Sequence, residues 1–412
     1  MVQAINSSQE AIQLEGKYGA HNYHPLPVVL TRGEGVFLWD VEGKRYFDFL
    51  SAYSAVNQGH CHPHIVQALI DQAKELTLTS RAFYNDKLGL AEKLICETFG
   101  YQKSLFMNSG AEANETAIKL ARKWGYTKKG IPDNEAVIVA ARQNFHGRTT
   151  TIISASTDQS ARSGFGPFMP GFELIDYDDI SAIGKSISNK NVCALWIEPI
   201  QGEAGVFVPR EGYLKEAQSL CKKYNVLLMM DEIQTGIART GKMLASDHEG
   251  VRADILILGK ALSGGVLPVS CVLADDEVMM VLHPGEHGST FGGNPLAAAV
   301  CMAALDVVRD ENLAENAEKL GRVFRERIQT LMTRTDLMSL VRGKGLLNAI
   351  VINDSPQSDT AWKICLEFAE NGLLAKPTHG NIIRLAPPLV ITEEQIHECC
   401  DIIEKVLLDF KK

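Results

Sequence analysis

The middle of the chain contains two short, uninterrupted apolar runs, Val226–Met230 and Ile255–Leu258. Such runs, without alternation of polar residues, are typical of strands that are buried on both faces of a parallel sheet. Asp231 follows the first run directly, and Lys260 follows the second after one glycine. The residues that follow parallel strands gather at the carboxyl edge of a sheet, where ligands bind. The pattern therefore predicts an α/β fold with a candidate site around Asp231 and Lys260.

The segment 103–124 predicts a strand, a turn and a helix. Ser109 and Glu112 have the spacing of a capping box, so we expect the helix to begin at Gly110. Free backbone N–H groups at a helix start can bind a phosphate, although many helices begin in this way without a ligand. A glycine-rich loop at 287–294 is a second candidate anion site, but such loops are more often plain turns.

Two more strands are expected to end at the same edge of the sheet. Phe145 and Arg148 follow the apolar run at 136–141. An aromatic side chain there can stack on a flat ring, and an arginine can bind a carboxylate through two hydrogen bonds. A core aromatic and a surface arginine explain this segment equally well. Glu198 and Glu203 follow the next predicted strand, so they too are candidates to face the cleft.

The residue types at the first site suggest a particular cofactor. A lysine just past a buried strand loses hydration, which lowers its pKa and makes the amine nucleophilic. A nearby carboxylate can keep a pyridinium nitrogen protonated. Asp231 and Lys260 together therefore indicate pyridoxal phosphate bound through the lysine, with Gln234 at the same edge. Either residue alone is better explained as a helix-capping aspartate or a surface lysine.

Charge and composition exclude several functional classes. The 412 residues have a formal net charge of −9 and no basic run, which argues against a nucleic-acid partner. No apolar run is long enough to span a membrane, and the first residues resemble neither a secretory signal nor a transit peptide. The nine cysteines are scattered without a C-x-x-C pair, as in a reducing compartment. We therefore expect a cytoplasmic protein, and we leave open whether a presequence has been removed.

His60, Cys61 and His62 are residue types that bind zinc. They lie in one short segment, however, directly before a predicted helix start at Pro63. No second cluster of ligands stands elsewhere in the sequence, so we predict no metal site.

Four motifs together resemble the class III aminotransferases of fold type I, which use pyridoxal phosphate: FHGRT (145–149), DEIQTG (231–236), GKALSGG (259–265) and GSTFGGNP (288–295). The resemblance extends from about residue 17 to the last helix. It implies an α/β fold whose large domain has a mostly parallel seven-stranded sheet between helices. A smaller α+β domain would lie at the C-terminus.

The expected domain boundaries follow from that resemblance and from a change in patterning. From about Leu305 onwards, long charged helices alternate with short strands. We expect an N-terminal segment at 1–55 that packs with the small domain, a large cofactor-binding domain at 56–303 and a small domain at 304–412.

The resemblance implies a function for each candidate residue at the cofactor. Lys260 would bind the cofactor covalently and Asp231 would bind its ring nitrogen, and both would be catalytic. The other cofactor-binding residues would be Ser109, Gly110, Ala111, Phe145, His146, Gln234, Ser289 and Thr290. The last two would act from the neighbouring subunit, which implies a homodimer with shared active sites or a larger assembly.

Further motifs are closest to family members that transfer the distal amino group of L-ornithine to 2-oxoglutarate: GAHNYHPLP (19–27), YSAVNQGHCHP (53–63), NGLLAKPTHG (371–380) and IIRLAPPLV (382–390). The products would be glutamate 5-semialdehyde and glutamate. One position departs from this pattern, because His146 stands where some of these members have tryptophan. The substrate-binding residues that the resemblance implies are Tyr23, Tyr53, Arg148, Glu198, Glu203 and Arg384.

Among these residues, Arg148 and Tyr23 would hold the α-carboxylate of ornithine far from the reacting amine. Arg384 would bind the carboxylate of 2-oxoglutarate near the cofactor, and Glu203 would mask Arg384 in the first half-reaction. Acetylornithine or 4-aminobutyrate aminotransferase is the alternative activity, and the polar groups of Tyr23 and Tyr53 favour a free α-amino group. A non-catalytic cofactor-binding module is disfavoured, because the charged residues of the predicted site are all present.

Overall fold

The structure is a computed structural model that describes Ile5 and residues 7–411. Residues 1–4, 6 and 412 belong to the predicted terminal segments and lie outside the described part. The strands are β1 Leu30–Glu34, β2 Phe37–Asp40, β3 Arg45–Asp48, β4 Lys103–Met107, β5 Val137–Ala141, β6 Phe172–Ile175, β7 Val192–Ile197, β8 Leu227–Asp231, β9 Ile255–Leu258, β10 Ser270–Ala274, β11 Met338–Lys344, β12 Leu347–Ile352, β13 Leu373–Leu374, β14 Lys376–Thr378 and β15 Ile382–Leu385.

Helices connect these strands and cover them. They are Ser8–Tyr18, Pro63–Glu75, Leu88–Phe99, Gly110–Thr127, Thr150–Ser154, Gln159–Arg162, Ile180–Ile187, Tyr213–Tyr224, Asp276–Met279, Pro295–Asp310, Leu313–Met332, Thr360–Glu370 and Glu393–Asp409. Ala245–His248 and Lys260–Ser263 form 3₁₀ turns.

The largest sheet has seven strands in the order β4-β10-β9-β8-β7-β5-β6. Its neighbouring strands are parallel except for β10, which is antiparallel to both β4 and β9. Every residue of β7, β8 and β9 is buried, which explains the uninterrupted apolar runs in the sequence. The predicted seven-stranded, mostly parallel sheet is confirmed.

Helices pack on both faces of this sheet. Successive side chains of a strand point to opposite faces, and β5 shows how the two faces are filled. Ile138 packs in one apolar cluster with helix Gly110–Thr127, whereas Val139 packs in another with helices Ile180–Ile187 and Tyr213–Tyr224. The sheet is therefore the middle layer, and its carboxyl edge is the part left open between the helices.

Two smaller sheets lie outside the central one. Strands β11, β12, β15 and β14 form an antiparallel sheet in that order, against which helices Leu313–Met332 and Thr360–Glu370 pack. The other sheet has the order β1-β2-β3-β13, so three N-terminal strands are joined by a strand from the C-terminal part of the chain.

The predicted fold class, a large mostly parallel sheet with a smaller α+β part, is confirmed by this arrangement. The predicted boundaries between the parts stay predictions. Helix Pro295–Asp310 runs without interruption through the predicted boundary between residues 303 and 304.

No helix in the described part of the chain is long and apolar enough to cross a membrane. The nine cysteines are free thiols. Across Ile5 and residues 7–411, no group of three or more His, Cys, Asp or Glu side chains has an arrangement suited to a metal ion.

Candidate active site

The carboxyl ends of β5, β7, β8 and β9 border a recess of about 190 Å³, which we call the inner cleft. Its walls contain nine of the residues expected at the site and three that were not expected, Gly147, Ile233 and Thr235. In chain order the lining residues are Gly110, Ala111, Phe145, His146, Gly147, Glu198, Glu203, Asp231, Ile233, Gln234, Thr235 and Lys260.

A larger recess of about 790 Å³, the outer cavity, adjoins the inner cleft and shares Phe145, Glu203 and Lys260 with it. Tyr23, Tyr53 and Arg148 line this outer cavity, as do Asp158 and His379. The residues predicted to bind substrate away from the cofactor are therefore placed together, on the solvent side of the inner cleft.

Asp231 is held by three hydrogen bonds at the end of β8. Its Oδ2 atom accepts from Asn114 Nδ2 at 2.9 Å and from His146 Nδ1 at 2.7 Å, and its Oδ1 atom accepts from the backbone N–H of Ile233 at 3.0 Å. The contact with the carboxylate requires the proton of His146 to be on Nδ1. Asp231 is only 4% exposed, so these donors fix the orientation of its carboxylate.

His146 lines the inner cleft and also belongs to the network that holds Asp231. Its ring stacks on Trp196 with 3.8 Å between ring centroids and an angle of 18°. Trp196 Nε1 donates to Asn114 Oδ1 at 3.2 Å, which closes a network around the carboxylate. Sequence reasoning missed Asn114 and Trp196. The sequence contained one signal for Asn114: it is a polar residue one helical turn after Gly110, on the buried face of the helix.

Lys260 begins the 3₁₀ turn that follows β9, with a φ angle of +47°. A residue with a Cβ atom in this left-handed region costs about 1–2 kcal/mol, so the surrounding structure must hold it there. The amine lies deep in the inner cleft, and loss of hydration lowers its pKa to about 8. The negative charge of Asp231 raises this pKa, whereas the positive charge of Arg384 lowers it further. The lysine is therefore a good nucleophile close to neutral pH.

Arg384, on β15, is 2% exposed and lines neither recess; it contacts the inner cleft through Glu203 and Gln234, which do line it. Its Nη1 atom lies 3.0 Å from Glu203 Oε2, 3.2 Å from the carbonyl oxygen of Gly202 and 3.3 Å from Gln234 Oε1. Burial opposes ionisation of Glu203, but the ion pair with Arg384 outweighs it and lowers the pKa of that carboxyl group. A Cβ atom at position 202 would lie 1.7 Å from Gln234 Oε1, so a larger residue there would displace the Gln234 side chain.

Tyr53 completes the cover of Arg384. The guanidinium carbon lies 4.8 Å from the centre of the tyrosine ring, within the range of a cation–π interaction. Tyr53 belongs to the turn Ser51–Ser54, whose four φ angles run from +45° to +72°. The left-handed conformation costs about 1–2 kcal/mol for each non-glycine residue. This turn therefore forms only because surrounding contacts offset a total cost of several kcal/mol.

Glu198 is a buried carboxyl group that lines the inner cleft. Burial, reinforced by the charge of Asp231, raises its pKa well above the usual range. Its Oε2 atom accepts from the backbone N–H of Phe145 at 3.1 Å, which fixes the residue whose ring forms one wall. The guanidinium of Arg148 lies 5.7 Å from the centre of that ring.

The predicted capping box forms at the start of helix Gly110–Thr127. Both the backbone N–H and the hydroxyl of Ser109 are bonded to Glu112 Oε2, at 2.7 and 3.1 Å. Gly110 and Ala111 line the cleft, whereas Ser109 does not. The N–H groups of Gly110 and Ala111 are the ones placed to bind an anion.

Ser289 and Thr290 do not line the inner cleft of their own chain. Ser289 Oγ accepts from Asn108 Nδ2 at 2.9 Å, and Thr290 is exposed. The prediction that both act on a neighbouring subunit therefore stays a prediction.

The inner cleft fits pyridoxal phosphate. It combines an amine with a lowered pKa, an oriented carboxylate, an aromatic wall and a helix start with free N–H groups. These are the donor and acceptor types that a lysine-bound pyridinium phosphate requires.

The chain belongs to the class III aminotransferases: residues 18–407 match the model of that family, described as Aminotransferase class-III. The predicted family and its cofactor, pyridoxal phosphate, are thereby confirmed. The chain is 64% identical to the mitochondrial ornithine aminotransferase of Drosophila melanogaster over 394 residues, 96% of this chain and 90% of that protein.

Two solved structures are similar over almost their whole length. One is the ornithine aminotransferase of Toxoplasma gondii ME49, with a TM-score of 0.96, 48% identity and coverage of 98% of this chain and 96% of that one. The other is described as the acetylornithine aminotransferase of Elizabethkingia anophelis, with a TM-score of 0.91, 61% identity and coverage of 99% and 100%.

The pKa of Lys260 can be tested on the cofactor-free protein. Because only the uncharged amine reacts, acetylation of Lys260 should accelerate as the pH rises and level off above about pH 9. Peptide mass spectrometry at a series of pH values measures this rate, with the Lys260→Ala variant as the blank. A rate that still rises steeply at about pH 10, as for an ordinary lysine, would contradict the lowered pKa.

Proposed function

We propose that this enzyme transfers the distal amino group of L-ornithine to 2-oxoglutarate and forms glutamate 5-semialdehyde and glutamate. The observation that supports it most is the buried ion pair between Arg384 and Glu203. An α-amino acid that reacts at its α-amine needs a cation for its carboxylate close to Lys260. Arg384 is a buried arginine close enough to Lys260 to lower its pKa, and its charge is already neutralised by Glu203, which lines the inner cleft.

In the first half-reaction, ornithine then enters with its distal amine towards Lys260. Its α-carboxylate remains in the outer cavity, where Arg148 and Tyr23 are the proposed partners. The free α-ammonium group has acceptors in the same cavity, the hydroxyls of Tyr23 and Tyr53 and the carboxylate of Asp158. Hydrogen bonds from Ser160 lower the pKa of Asp158 despite its partial burial, so this group is negatively charged.

In the second half-reaction, 2-oxoglutarate carries a carboxylate at each end. Its α-carboxylate would replace Glu203 on Arg384, and its distal carboxylate would bind Arg148 in the outer cavity. Glu203 is 27% exposed, so its side chain can move towards solvent while Arg384 keeps a negative partner. The exchange avoids a buried, unpaired guanidinium at any stage.

The remaining residues act on the cofactor. Bound pyridoxal phosphate supplies an electron-withdrawing ring that stabilises negative charge on the substrate carbon. We propose that Asp231 keeps the ring nitrogen protonated and that Lys260 moves the proton between substrate and cofactor carbons. Phe145 would stack on the ring, and Gln234 would bind its hydroxyl. His146 would act mainly by orienting Asp231, to which it donates.

Acetylornithine is the second candidate substrate, because a solved structure with 61% identity carries that name. The two substrates differ only at the α-nitrogen, which is a cation in ornithine and a neutral amide in acetylornithine. Asp158 and the two tyrosine hydroxyls favour the cation, since a carboxylate forms an ion pair as well as a hydrogen bond only with the free ammonium group.

A half-reaction screen tests the proposed substrate. With each compound as sole amino donor, the cofactor absorbance should change fastest with ornithine and at least about tenfold more slowly with N-acetylornithine and 4-aminobutyrate, which lack the α-ammonium group. The Asp158→Asn variant should narrow the gap between ornithine and N-acetylornithine. N-acetylornithine as the faster donor would assign the chain to the second candidate activity.

We also propose that Ser289 and Thr290 bind the cofactor phosphate of a partner subunit in a homodimer. Exposed aromatic side chains occur in this loop and in a nearby segment: Phe291 is 57% exposed, and Phe83 and Tyr84 are 71% and 98% exposed. The two segments are close, because a Cβ atom on Gly293 would lie 3.7 Å from the Cδ atom of Arg81. An exposed apolar patch of this kind is typical of an interface.

Mixed dimers test this sharing of sites. The Lys260→Ala variant and the Ser289→Ala/Thr290→Ala double variant should each have low activity alone. A dimer with one subunit of each, purified through two different tags, should regain up to about half of the wild-type activity, because one site then combines an intact Lys260 with an intact partner loop. If the loop acted on its own subunit, no intact site would form and activity would stay low.

The compartment is a separate proposal. Nine free thiols suit a reducing compartment, which supports the expected cytoplasmic location. The fly relative named above is a mitochondrial protein by its name, and the mitochondrial matrix would suit the thiols equally well.

A further inference from the structure

Asp48 is a buried carboxylate outside both cavities, at the end of β3 and directly before the left-handed turn. It is 3% exposed. Its Oδ1 atom accepts from the backbone N–H groups of Leu50 and Ser51, both at 2.8 Å. These bonds fix the backbone at the point where the φ angles become positive. Without them, the buried N–H group of Ser51 and the partly buried N–H group of Leu50 would lose their acceptor.

His60 holds the other oxygen of that carboxylate. Its Nε2 atom lies 2.7 Å from Asp48 Oδ2. The backbone of His60 is itself fixed, because it exchanges two hydrogen bonds with Gly35, at 2.8 and 3.0 Å. The turn therefore lies between two rigid points, the end of β3 and the bridge at His60.

The residues just after the turn are hydrogen-bonded to the backbone near the candidate catalytic residues. Asn57 Nδ2 donates to the carbonyl oxygen of Ile237 at 2.7 Å, and Gln58 Nε2 donates to that of Ala261 at 2.9 Å. Ala261 is the neighbour of Lys260 in the chain. With Asp48 holding one end and these amides the other, the position of Tyr53 over Arg384 is set by residues that line neither recess.

We propose that Asp48 and His60 are positioning residues that determine donor selectivity by holding Tyr53 over Arg384. The inference rests on the proposed function, in which a covered Arg384 excludes α-amino acids from the first half-reaction. Glu203 supplies the charge that neutralises Arg384, and the Tyr53 ring covers the guanidinium. A looser turn exposes one side of that guanidinium and leaves its ion pair with Glu203 in place. A substrate carboxylate can then approach Arg384 without displacing the Tyr53 ring.

The test compares Asp48→Ala with Asp48→Asn. Asparagine keeps an Oδ1 acceptor for the two backbone N–H groups, and its Nδ2 can donate to His60 Nε2 in the other tautomer of that histidine, whereas alanine removes both contacts. With glutamate and ornithine each as sole donor, the ratio of the glutamate rate to the ornithine rate should rise at least about threefold in Asp48→Ala, the factor expected when a cation–π contact is lost. It should stay within about twofold of wild type in Asp48→Asn.

Two further variants keep the test decisive if Asp48→Ala does not fold. His60→Ala removes the second contact of the carboxylate and should shift the ratio in the same direction. His62→Ala is the matched control, since it breaks a neighbouring histidine–carboxylate pair, with Glu311, that does not touch the turn. It should leave the ratio unchanged.

A second readout does not depend on turnover. In cofactor-free protein, modification of Arg384 by phenylglyoxal, measured by peptide mass spectrometry, should be faster in Asp48→Ala and in His60→Ala than in wild type. A purely structural function of Asp48 would slow both half-reactions equally and leave the modification of Arg384 unchanged relative to wild type. That result would overturn the proposal.

The outcomes also separate this inference from the proposed function. If the wild-type enzyme does not react with ornithine, the proposed substrate is wrong, and the ratio is then taken with whichever of N-acetylornithine and 4-aminobutyrate reacts. If the wild-type enzyme prefers ornithine and Asp48→Ala and His60→Ala keep its ratio, only the positioning function of Asp48 and His60 is wrong.

Discussion

The buried ion pair between Arg384 and Glu203 is the interaction on which the site depends. A guanidinium in a water-poor cleft is costly without a negative partner, and removing one partner of such a pair typically costs about 3–5 kcal/mol. Arg384 is almost fully buried, so it must always be paired, with Glu203 or with a substrate carboxylate. In the proposed function, this requirement is what would let one cleft accept ornithine by its distal amine and 2-oxoglutarate by its α-carboxylate.

The fold brings this pair together from parts of the chain that are far apart in sequence. Glu203 follows β7 of the central sheet, Arg384 belongs to β15 of the smaller antiparallel sheet, and Tyr53 comes from the turn after β3. The same edge presents Lys260 and Asp231 at the ends of adjacent strands. The residues proposed to bind the cofactor thus follow strands of one sheet, whereas those proposed to control selectivity depend on contacts between that sheet and the terminal segments.

This division explains how much could be predicted from the sequence. Asp231 and Lys260 follow apolar runs directly, so local patterning was enough to place them together. The importance of Arg384 came from the resemblance, because no local pattern shows that β15 reaches the cleft. In the sequence, Trp196 is one more apolar residue of a predicted buried strand. Its hydrogen bond to Asn114 joins residues that are far apart in sequence, so no local pattern predicts it. The left-handed turn at Ser51–Ser54 could not be predicted, since it contains no glycine.

The central claim is that Glu203 directs ornithine to react at its distal amine by masking Arg384. The most direct measurement is the single-turnover rate of the Glu203→Ala variant with glutamate and with ornithine, followed by cofactor absorbance, with Glu203→Gln as the variant that keeps a neutral acceptor. We predict that the ratio of the glutamate rate to the ornithine rate rises by about tenfold or more in Glu203→Ala, which corresponds to about 1.4 kcal/mol, and by less in Glu203→Gln. An unchanged ratio in both variants would contradict the account.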